Sequence, residues 1–161
     1  MRWTQHHLYF LFICQYEHLH LRREAAKLDD STAGLWKWDV AEVFVGADEA
    51  VLSKYYEFEV SPRGEWLNLE IDCSHSDAFR KTLLQSESTV GARIDQSEKT
   101  WFGFLRIPYK VLSPRRFEQG QRFRINFFRS QGNPATEVVW RPTYSDTFHV
   151  PAAFGYLSLT E

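Results

Sequence analysis

Hydrophobic and polar residues alternate along several short segments of the chain. In the segment YYEFEV, residues 55–60, one face carries Tyr56, Phe58 and Val60, and the other face carries two glutamates. A period of two is the pattern of a β-strand whose faces have different surroundings. The turn residues Ser-Pro-Arg-Gly at 61–64 and the segment EWLNLEID behind them therefore predict a hairpin.

Other segments of similar length also suit strands, and turn residues separate them. They are residues 8–14, 40–45, 89–95, 99–108, 121–130, 137–140 and 155–159. The segments 21–33 and 74–88 are polar and are interpreted as loops, and no helix longer than two turns is predicted. Short strands between turn signals predict an all-β fold, an antiparallel two-sheet β-sandwich of jelly-roll-like form with only short helical turns. No repeat or linker divides the chain, so we predict a single domain over residues 1–161.

The first predicted strand, LYFLFIC at residues 8–14, is apolar on both faces. This pattern predicts a strand that is covered on both sides and paired along both edges. Seven residues are too few to cross a bilayer, and no small-residue cleavage site follows, so the chain as given carries no export signal. Cys14 in this strand is interpreted as a small buried hydrophobe, and a disulfide with Cys73 is left open.

Charge and motif content exclude several classes of function. The chain has 19 Lys and Arg, 21 Asp and Glu and a formal net charge of -2, with no block of like charge. Nucleic acid and anionic membranes are therefore not expected as partners, because both attract basic surfaces. His18 and His20 lie two residues apart, but no third metal ligand follows at a suitable spacing. We expect no cofactor, and there is no glycine-rich phosphate loop or Gly-x-Ser-x-Gly motif.

Carboxylates and aromatic residues supply the remaining candidate chemistry. Glu42, Glu57 and Glu59 lie on predicted strands, but they lack the E-x-D-x-x-E order of jelly-roll glycanases. Hydrogen-bonding or ion-pairing roles are favoured for them over catalysis by two carboxyls about 5–10 Å apart. Aromatic residues make up 16% of the chain, with six Trp. Aromatic rings beside polar groups suit a saccharide, which has apolar faces and a rim of hydroxyls.

The order of four motifs resembles carbohydrate-binding module family 9, a β-sandwich family often attached to xylanases and related enzymes. The motifs are LWKWDVAEVFV, YYEFEV, FRINF and VVWRPTYSDTFHVPAAFGYL, and they run through nearly the whole chain. The sequence resembles stand-alone bacterial proteins of the family 9-like type more than it resembles the modules attached to xylanases. The resemblance implies an extracellular or periplasmic location and allows a structural calcium ion. It also implies one more strand ahead of Leu8, so we expect a truncated start that favours aggregation.

The resemblance also implies a binding slot in which two aromatic residues sandwich a terminal sugar ring. The two aromatics fall on Trp36 and Phe148, and Glu42 falls on a carboxylate that accepts hydrogen bonds from sugar hydroxyls. Trp38 is expected at the wall of the slot or on the sandwich surface. Trp140 is expected in the core, and with it Phe58, Ile125 and Phe127.

Two positions depart from the family pattern. The family's arginine and asparagine on the next strand fall on Glu59 and Ser61, which changes charge and reach. Arg124 and Asn126, on a neighbouring strand in the family topology, are expected to replace them. Glu59, Arg124 and Asn126 are therefore included among the predicted carbohydrate-binding residues.

The leading hypothesis is a non-catalytic module that binds plant-type oligo- or polysaccharides and supports their catabolism. The first alternative is a structural or protein-interaction sandwich that has lost sugar binding, and the second is a hydrolytic or glycoside hydrolase-associated domain. The slot requires Trp36 and Phe148 to face each other across an open gap of about 7–8 Å, two ring-stacking distances. Burial of either ring in the core would contradict it.

Overall fold

The computed structural model describes residues 1–24, 28–74, 80–85 and 87–161. Three short helical segments occur there, at Leu35–Lys37, Tyr109–Leu112 and Pro151–Ala153. The strands of this part of the chain are β1 (Arg2–Trp3), β2 (His7–Gln15), β3 (Val40–Gly46), β4 (Lys54–Val60), β5 (Trp66–Asp72), β6 (Arg80–Leu83), β7 (Thr89–Asp95), β8 (Thr100–Pro108), β9 (Arg122–Gln131), β10 (Thr136–Val139) and β11 (Gly155–Ser158).

The strands form two antiparallel sheets, which confirms the predicted all-β sandwich. The smaller sheet has the order β1-β2-β8-β7. The larger sheet has the order β10-β9-β3-β4-β5-β6, and β11 pairs with the same strand β9 as β10 does. The predicted hairpin is β4-β5, in which Val60 pairs with Trp66 across the turn.

The main core lies between the sheets and is built from alternate residues of their strands. Phe58 and Ile125 are buried there, as predicted, and Phe127 is half-buried against Phe10 and Phe12. The other large members are Leu8, Val43, Val45, Val60, Trp101, Leu105, Ile107, Phe117 and Phe123. Apolar packing of this extent is the main source of stability for a domain of this size.

Strand β2 departs from the prediction that both of its faces are covered. Leu11 is 57% exposed and Ile13 is 65% exposed, whereas Leu8, Phe10 and Cys14 are buried. The reason is that the smaller sheet packs against the larger one through one face only. The prediction of partners on both edges holds only at the start of β2: β8 pairs with the whole strand, whereas the pairing of β1 is with Leu8 and Tyr9.

A second hydrophobic cluster covers the outer face of the larger sheet. It contains Leu35, Val40, Phe44, Tyr55, Leu67, Leu69, Ile71, Phe128 and Phe154. Leu35 belongs to the segment before β3, and Phe154 ends the segment 140–154 between β10 and β11. Both faces of the central strands are therefore covered, although the alternation of β4 predicts one apolar and one polar face.

Trp140 corrects a second expectation, because it is 52% exposed and does not belong to the core. It follows β10 at the edge of the larger sheet, where its ring lies on the backbone of Gly155 and edge-on to Phe127 with centroids 5.8 Å apart. The segment 140–154 leaves the sheet at this point, so one side of the Trp140 ring is exposed to solvent.

The two cysteines are both free thiols. Cys14 lies in the main core and Cys73 packs against the second cluster, so the larger sheet separates them. Burial raises the pKa of Cys14 to about 11, which makes its thiol unreactive. The disulfide that the sequence left open is thus not formed.

The two segments predicted as loops are described only in part, and one of them contains a strand. Residues 75–79 and 86 of the segment 74–88 lie outside the described residues, but 80–83 form β6 on the edge of the larger sheet. Residues 25–27 of the other loop also lie outside the described residues, and its described part contains no helix.

Candidate functional site

A cleft of about 190 Å³ opens on the outer face of the larger sheet. Strands β3, β4, β6, β9 and β10 contribute lining residues, and the segments around 35–38 and 140–154 form its walls. Its lining residues are Trp36, Glu42, Phe44, Glu57, Lys81, Ser130, Glu137, Asp146, Thr147, Phe148 and His149. Two aromatics and one carboxylate that the resemblance singled out, Trp36, Phe148 and Glu42, thus meet in one cleft.

The position of Trp36 follows from its two neighbours. Gly34 adopts a left-handed conformation with φ of 75° and starts the short helix Leu35–Lys37. Leu35 is fully buried in the second cluster, and this anchors the helix to the sheet. Because adjacent helical residues point in different directions, Trp36 is left 42% exposed.

Phe148 forms another wall and is half-buried. One face of its ring stacks on Phe128, with centroids 4.3 Å apart and an interplanar angle of 18°. Only the other face is available to a ligand. Neither Trp36 nor Phe148 is buried in the core, so the condition that would contradict the slot is not met.

Three glutamates lie together beneath and beside the cleft. Glu42 of β3 is directly opposite Glu59 of β4, and Glu57 is two residues further along β4 on the same face. All three are at most 2% exposed. Glu59 does not line the cleft, although it is adjacent to Glu42, which does.

Burial changes the protonation of this cluster. It raises the pKa of Glu42 and Glu59 well above the ordinary carboxyl range, and the negative charge of each neighbouring glutamate adds to the effect. Burial also raises the pKa of Glu57. Lys81 opposes these shifts, but the glutamates still hold protons more tightly than exposed carboxyls do.

The hydrogen bonds of the cluster are incomplete within the described part of the chain. Glu42 Oε1 is buried and has no hydrogen-bond partner there. Glu57 Oε2 lies 4.0 Å from His149 Nδ1, which shares a hydrogen bond of 2.6 Å with the Tyr55 hydroxyl. Burial, followed by the charge of Lys81, lowers the pKa of His149 to about 4, so this ring is neutral at pH 7. A ligand with hydrogen-bond donors would satisfy Glu42.

Lys81 is the cationic residue of the lining, and sequence reasoning missed it. It lies on β6 opposite Ile71, with its ammonium 4.8 Å from the centre of the Trp36 ring. Its segment lacks the alternating pattern of a strand, so the sequence predicts a loop there. Pairing with β5, which no local signal reveals, is what brings Lys81 to the cleft.

The remaining predicted residues lie outside the cleft. Trp38 packs on His20, with ring centroids 4.6 Å apart. Arg124 donates hydrogen bonds to the carbonyls of Pro151 and Ala152, at 3.0 and 2.8 Å. These contacts hold the end of the segment 140–154 against the sheet.

Asn126 is buried and holds the beginning of that segment. Its Nδ2 donates to the carbonyl of Arg141 at 2.9 Å, and its Oδ1 accepts from the amide of Arg141 at 3.0 Å and from that of Phe127 at 2.9 Å. Asn126 and Arg124 therefore position the segment that carries Phe148 and do not line the cleft themselves.

A larger groove of about 730 Å³ lies elsewhere, near Tyr16, Lys99 and the turn at 131–134. Its lining combines the rings of Tyr16 and His18 with mainly polar residues and contains no buried carboxyl cluster. The smaller cleft is the better candidate because aromatic walls and an unpartnered buried oxygen converge there.

The described residues offer no helix of the length and apolarity needed to cross a membrane. They also contain no group of three or more His, Cys, Asp or Glu residues arranged to hold a metal ion. His20, one of the two histidines considered as metal ligands, packs on the Trp38 ring.

Fold and cleft together define a class of protein. It is a two-sheet β-sandwich with a cleft on the outer face of its larger sheet, and this cleft has aromatic walls and carboxyl groups at its base. Solved structures share the fold. A candidate carbohydrate-binding protein from Bacteroides uniformis matches with a TM-score of 0.75 and 18% identity over 96% of this chain and 73% of that one. The family 9 carbohydrate-binding module of Caldicellulosiruptor kristjanssonii matches with a TM-score of 0.66 and 11% identity over 98% of this chain. It was solved in complex with glucose and with cellotriose, and this chain covers 73% and 71% of the respective chains.

The chain thus has the fold of a family 9 carbohydrate-binding module. No family model matches its sequence. A curated relative, an extracellular protein of Arthroderma benhamiae, is 26% identical over 137 residues, an alignment that covers 74% of this chain. The chain spans 60% of the length of that relative.

Proposed function

We propose that this protein is a non-catalytic carbohydrate-binding module that stacks one sugar ring between Trp36 and Phe148. The observation that carries the proposal is the convergence of these rings on one cleft whose base includes the unpartnered Glu42 Oε1. A pyranose ring meets aromatic faces through its C–H groups, and a hydroxyl donates to Glu42. The fold shared with the glucose- and cellotriose-bound modules supports this proposal.

The polar residues of the proposed site differ from those that the resemblance implied. Glu42 contacts the sugar directly, Glu59 acts behind it, and Lys81 and Glu57 take the places expected of Arg124 and Asn126. Trp38 is not included in the site. Arg124 and Asn126 act indirectly, because they hold the segment that carries Phe148.

We further propose that the protein acts outside the cell on plant-type polysaccharide or its fragments and supports their breakdown by associated glycoside hydrolases. The extracellular relative of Arthroderma benhamiae supports this location. One stacked ring with a few hydrogen bonds corresponds to dissociation constants from about micromolar to millimolar.

Isothermal titration calorimetry with glucose, cellotriose and xylo-oligosaccharides tests the proposal. Trp36→Ala should abolish measurable binding, because it removes one wall of the slot. Trp38→Ala is the matched control, since Trp38 is nearby in sequence but packs on His20 outside the cleft. Silence of the folded wild-type protein towards all these saccharides would favour a structural or protein-interaction module. Release of glucose from cellotriose during the titration would instead favour a hydrolase.

A further inference from the structure

The lining of the cleft is strongly acidic. Among the described lining residues, four carry carboxyl groups, namely Glu42, Glu57, Glu137 and Asp146, whereas Lys81 alone carries an ammonium. His149 adds no positive charge, because its pKa of about 4 leaves the ring neutral at pH 6 and above. Glu59 contributes a further carboxyl behind the lining. A ligand that enters this cleft meets four carboxyl groups and one ammonium, and a ligand ammonium would favour the ionised form of the buried carboxyls beside it.

Lys81 lowers the pKa of the buried glutamates through its charge, but it does not form an ion pair with Glu42 or Glu59. No other lysine or arginine of the described residues forms an ion pair with them. A neutral sugar hydroxyl donates a hydrogen bond to Glu42 Oε1 but brings no charge. A ligand ammonium brings both, and charge-assisted hydrogen bonds are about twice as strong as neutral ones.

The Trp36 ring already has a cation beside it. Lys81 Nζ lies 4.8 Å from the centre of this ring, within the range of a cation–π interaction. A ligand ammonium is therefore assigned to the carboxyl groups of the cleft and not to the Trp36 ring. At about 190 Å³ the cleft is smaller than the roughly 300–1,000 Å³ of drug-sized sites, so it suits one sugar ring.

We propose that the cleft selects an amino sugar, a hexosamine unit whose free ammonium contacts Glu42 and Glu57 while its ring stacks between Trp36 and Phe148. This inference rests on the proposed function, because it uses the same cleft and the same aromatic walls. It adds the class of saccharide: a unit with a protonated primary amine is preferred over the neutral or N-acetylated unit of the same shape.

Three β-1,4-linked trimers provide the test, since they share a backbone and differ at carbon 2. They are the trimers of glucosamine, N-acetylglucosamine and glucose, which present an ammonium, an acetamide and a hydroxyl. Calorimetry at pH 6 and low salt should give the glucosamine trimer about tenfold higher affinity than cellotriose, one charge-assisted contact in magnitude. The N-acetylated trimer should show no such gain. Equal or weaker binding of the glucosamine trimer, or equal binding of the N-acetylated trimer, would overturn the preference.

Two variants separate a specific contact from general attraction to an acidic protein. Glu42→Gln keeps the shape of the side chain and removes its ability to ionise, so the glucosamine trimer should lose more affinity than cellotriose does, and the tenfold preference should fall to about twofold or less. Glu118→Gln, at an exposed position outside the cleft, is the control and should keep the preference. Equal effects of the two variants would overturn the proposed contact. Cellotriose binding without any preference leaves the module hypothesis intact, whereas silence towards all three trimers contradicts both proposals.

Discussion

Glu42 of β3 lies directly opposite Glu59 of β4, and both carboxyl groups are at most 2% exposed. Like charges at opposed positions on neighbouring strands repel, and burial weakens the screening by water. Glu57 adds a third carboxyl on the same face. This cluster is therefore a locally unfavourable feature of the fold, placed at the base of the proposed binding cleft, and it gives the protein a pH dependence that can be measured.

Replacement of Glu59 by Gln should stabilise the protein at pH 8 and have little effect near pH 4. The pKa of Glu59 is raised in the folded state, so the unfolded chain loses its proton first as the pH rises above about 4.3. The free energy of unfolding of the wild type thus falls towards alkaline pH, and the amide removes that loss. A gain of about 1 kcal/mol would raise the melting temperature by roughly 2–4 °C.

Thermal melts of the variant and the wild type at pH 4, 6 and 8 provide the measurement. Glu70→Gln, on the adjacent strand β5 and only half-buried, is the control and should show no growing difference with pH. A Glu59→Gln variant that is less stable than the wild type at pH 8 would show that the ionised carboxylate is stabilising.

His149 should produce the opposite pH dependence. Burial lowers its pKa to about 4, whereas the unfolded side chain takes up a proton near pH 6.5. The neutral His149 ring therefore stabilises the folded state fully above pH 6.5. As the pH falls from 6.5 towards 4, the free energy of unfolding decreases by at most about 1.4 kcal/mol per pH unit. Urea unfolding at pH 4.5, 5.5 and 6.5 should show that His149→Gln loses less stability on acidification than the wild type. His18→Gln, at an exposed position, should behave like the wild type, and a similar acid slope in all three proteins would contradict the assignment.

The alternation of apolar and polar residues was enough to predict most of the strands. A strand with one buried face carries an apolar residue at every second position, because successive side chains point to opposite faces. Strand β2 shows the limit of this reasoning. Leu11 and Ile13 are apolar but exposed, so an all-apolar segment did not imply cover on both faces. Strand β6 shows another limit, since its residues are exposed and only pairing with β5 makes it a strand.

Part of the candidate site was predicted through the family resemblance and part was not. Trp36, Glu42 and Phe148 lie in the cleft as the motif order implied. Lys81 was missed because its position depends on a long-range pairing. Asn126 and Arg124 were assigned to the ligand, yet the polar groups they contact belong to the backbone of the segment 140–154. The sequence shows that a polar side chain lies on a strand, but it does not show which backbone groups form hydrogen bonds with that side chain.

Asn126→Ala should lower both stability and saccharide affinity. The change removes three hydrogen bonds with the backbone of Phe127 and Arg141 and leaves partly buried amide and carbonyl groups unpaired, at a cost of about 1–3 kcal/mol in the free energy of unfolding. The segment that carries Phe148 loses its anchor, so cellotriose affinity should fall by about tenfold or more. Urea unfolding and calorimetry give the two quantities. Asn133→Ala, at an exposed turn position, is the control, and loss of stability without loss of affinity would show that Phe148 is held by other contacts.

Gly155→Ala should destabilise the protein through Trp140. A Cβ atom at position 155 would lie 2.6 Å from two carbons of the Trp140 ring, closer than real Cβ contacts come. The ring must move, and because Trp140 is half exposed and can shift towards solvent, the cost should be about 1 kcal/mol, the lower end of the range for overpacking. Gly91→Ala is the matched control, because Gly91 also lies in a strand and nothing lies within 4 Å of its added Cβ. Chemical unfolding should give a lower midpoint for Gly155→Ala only, and a change in tryptophan fluorescence of the folded state should accompany it. If both variants unfold at the wild-type midpoint, Trp140 is not seated on Gly155 in solution.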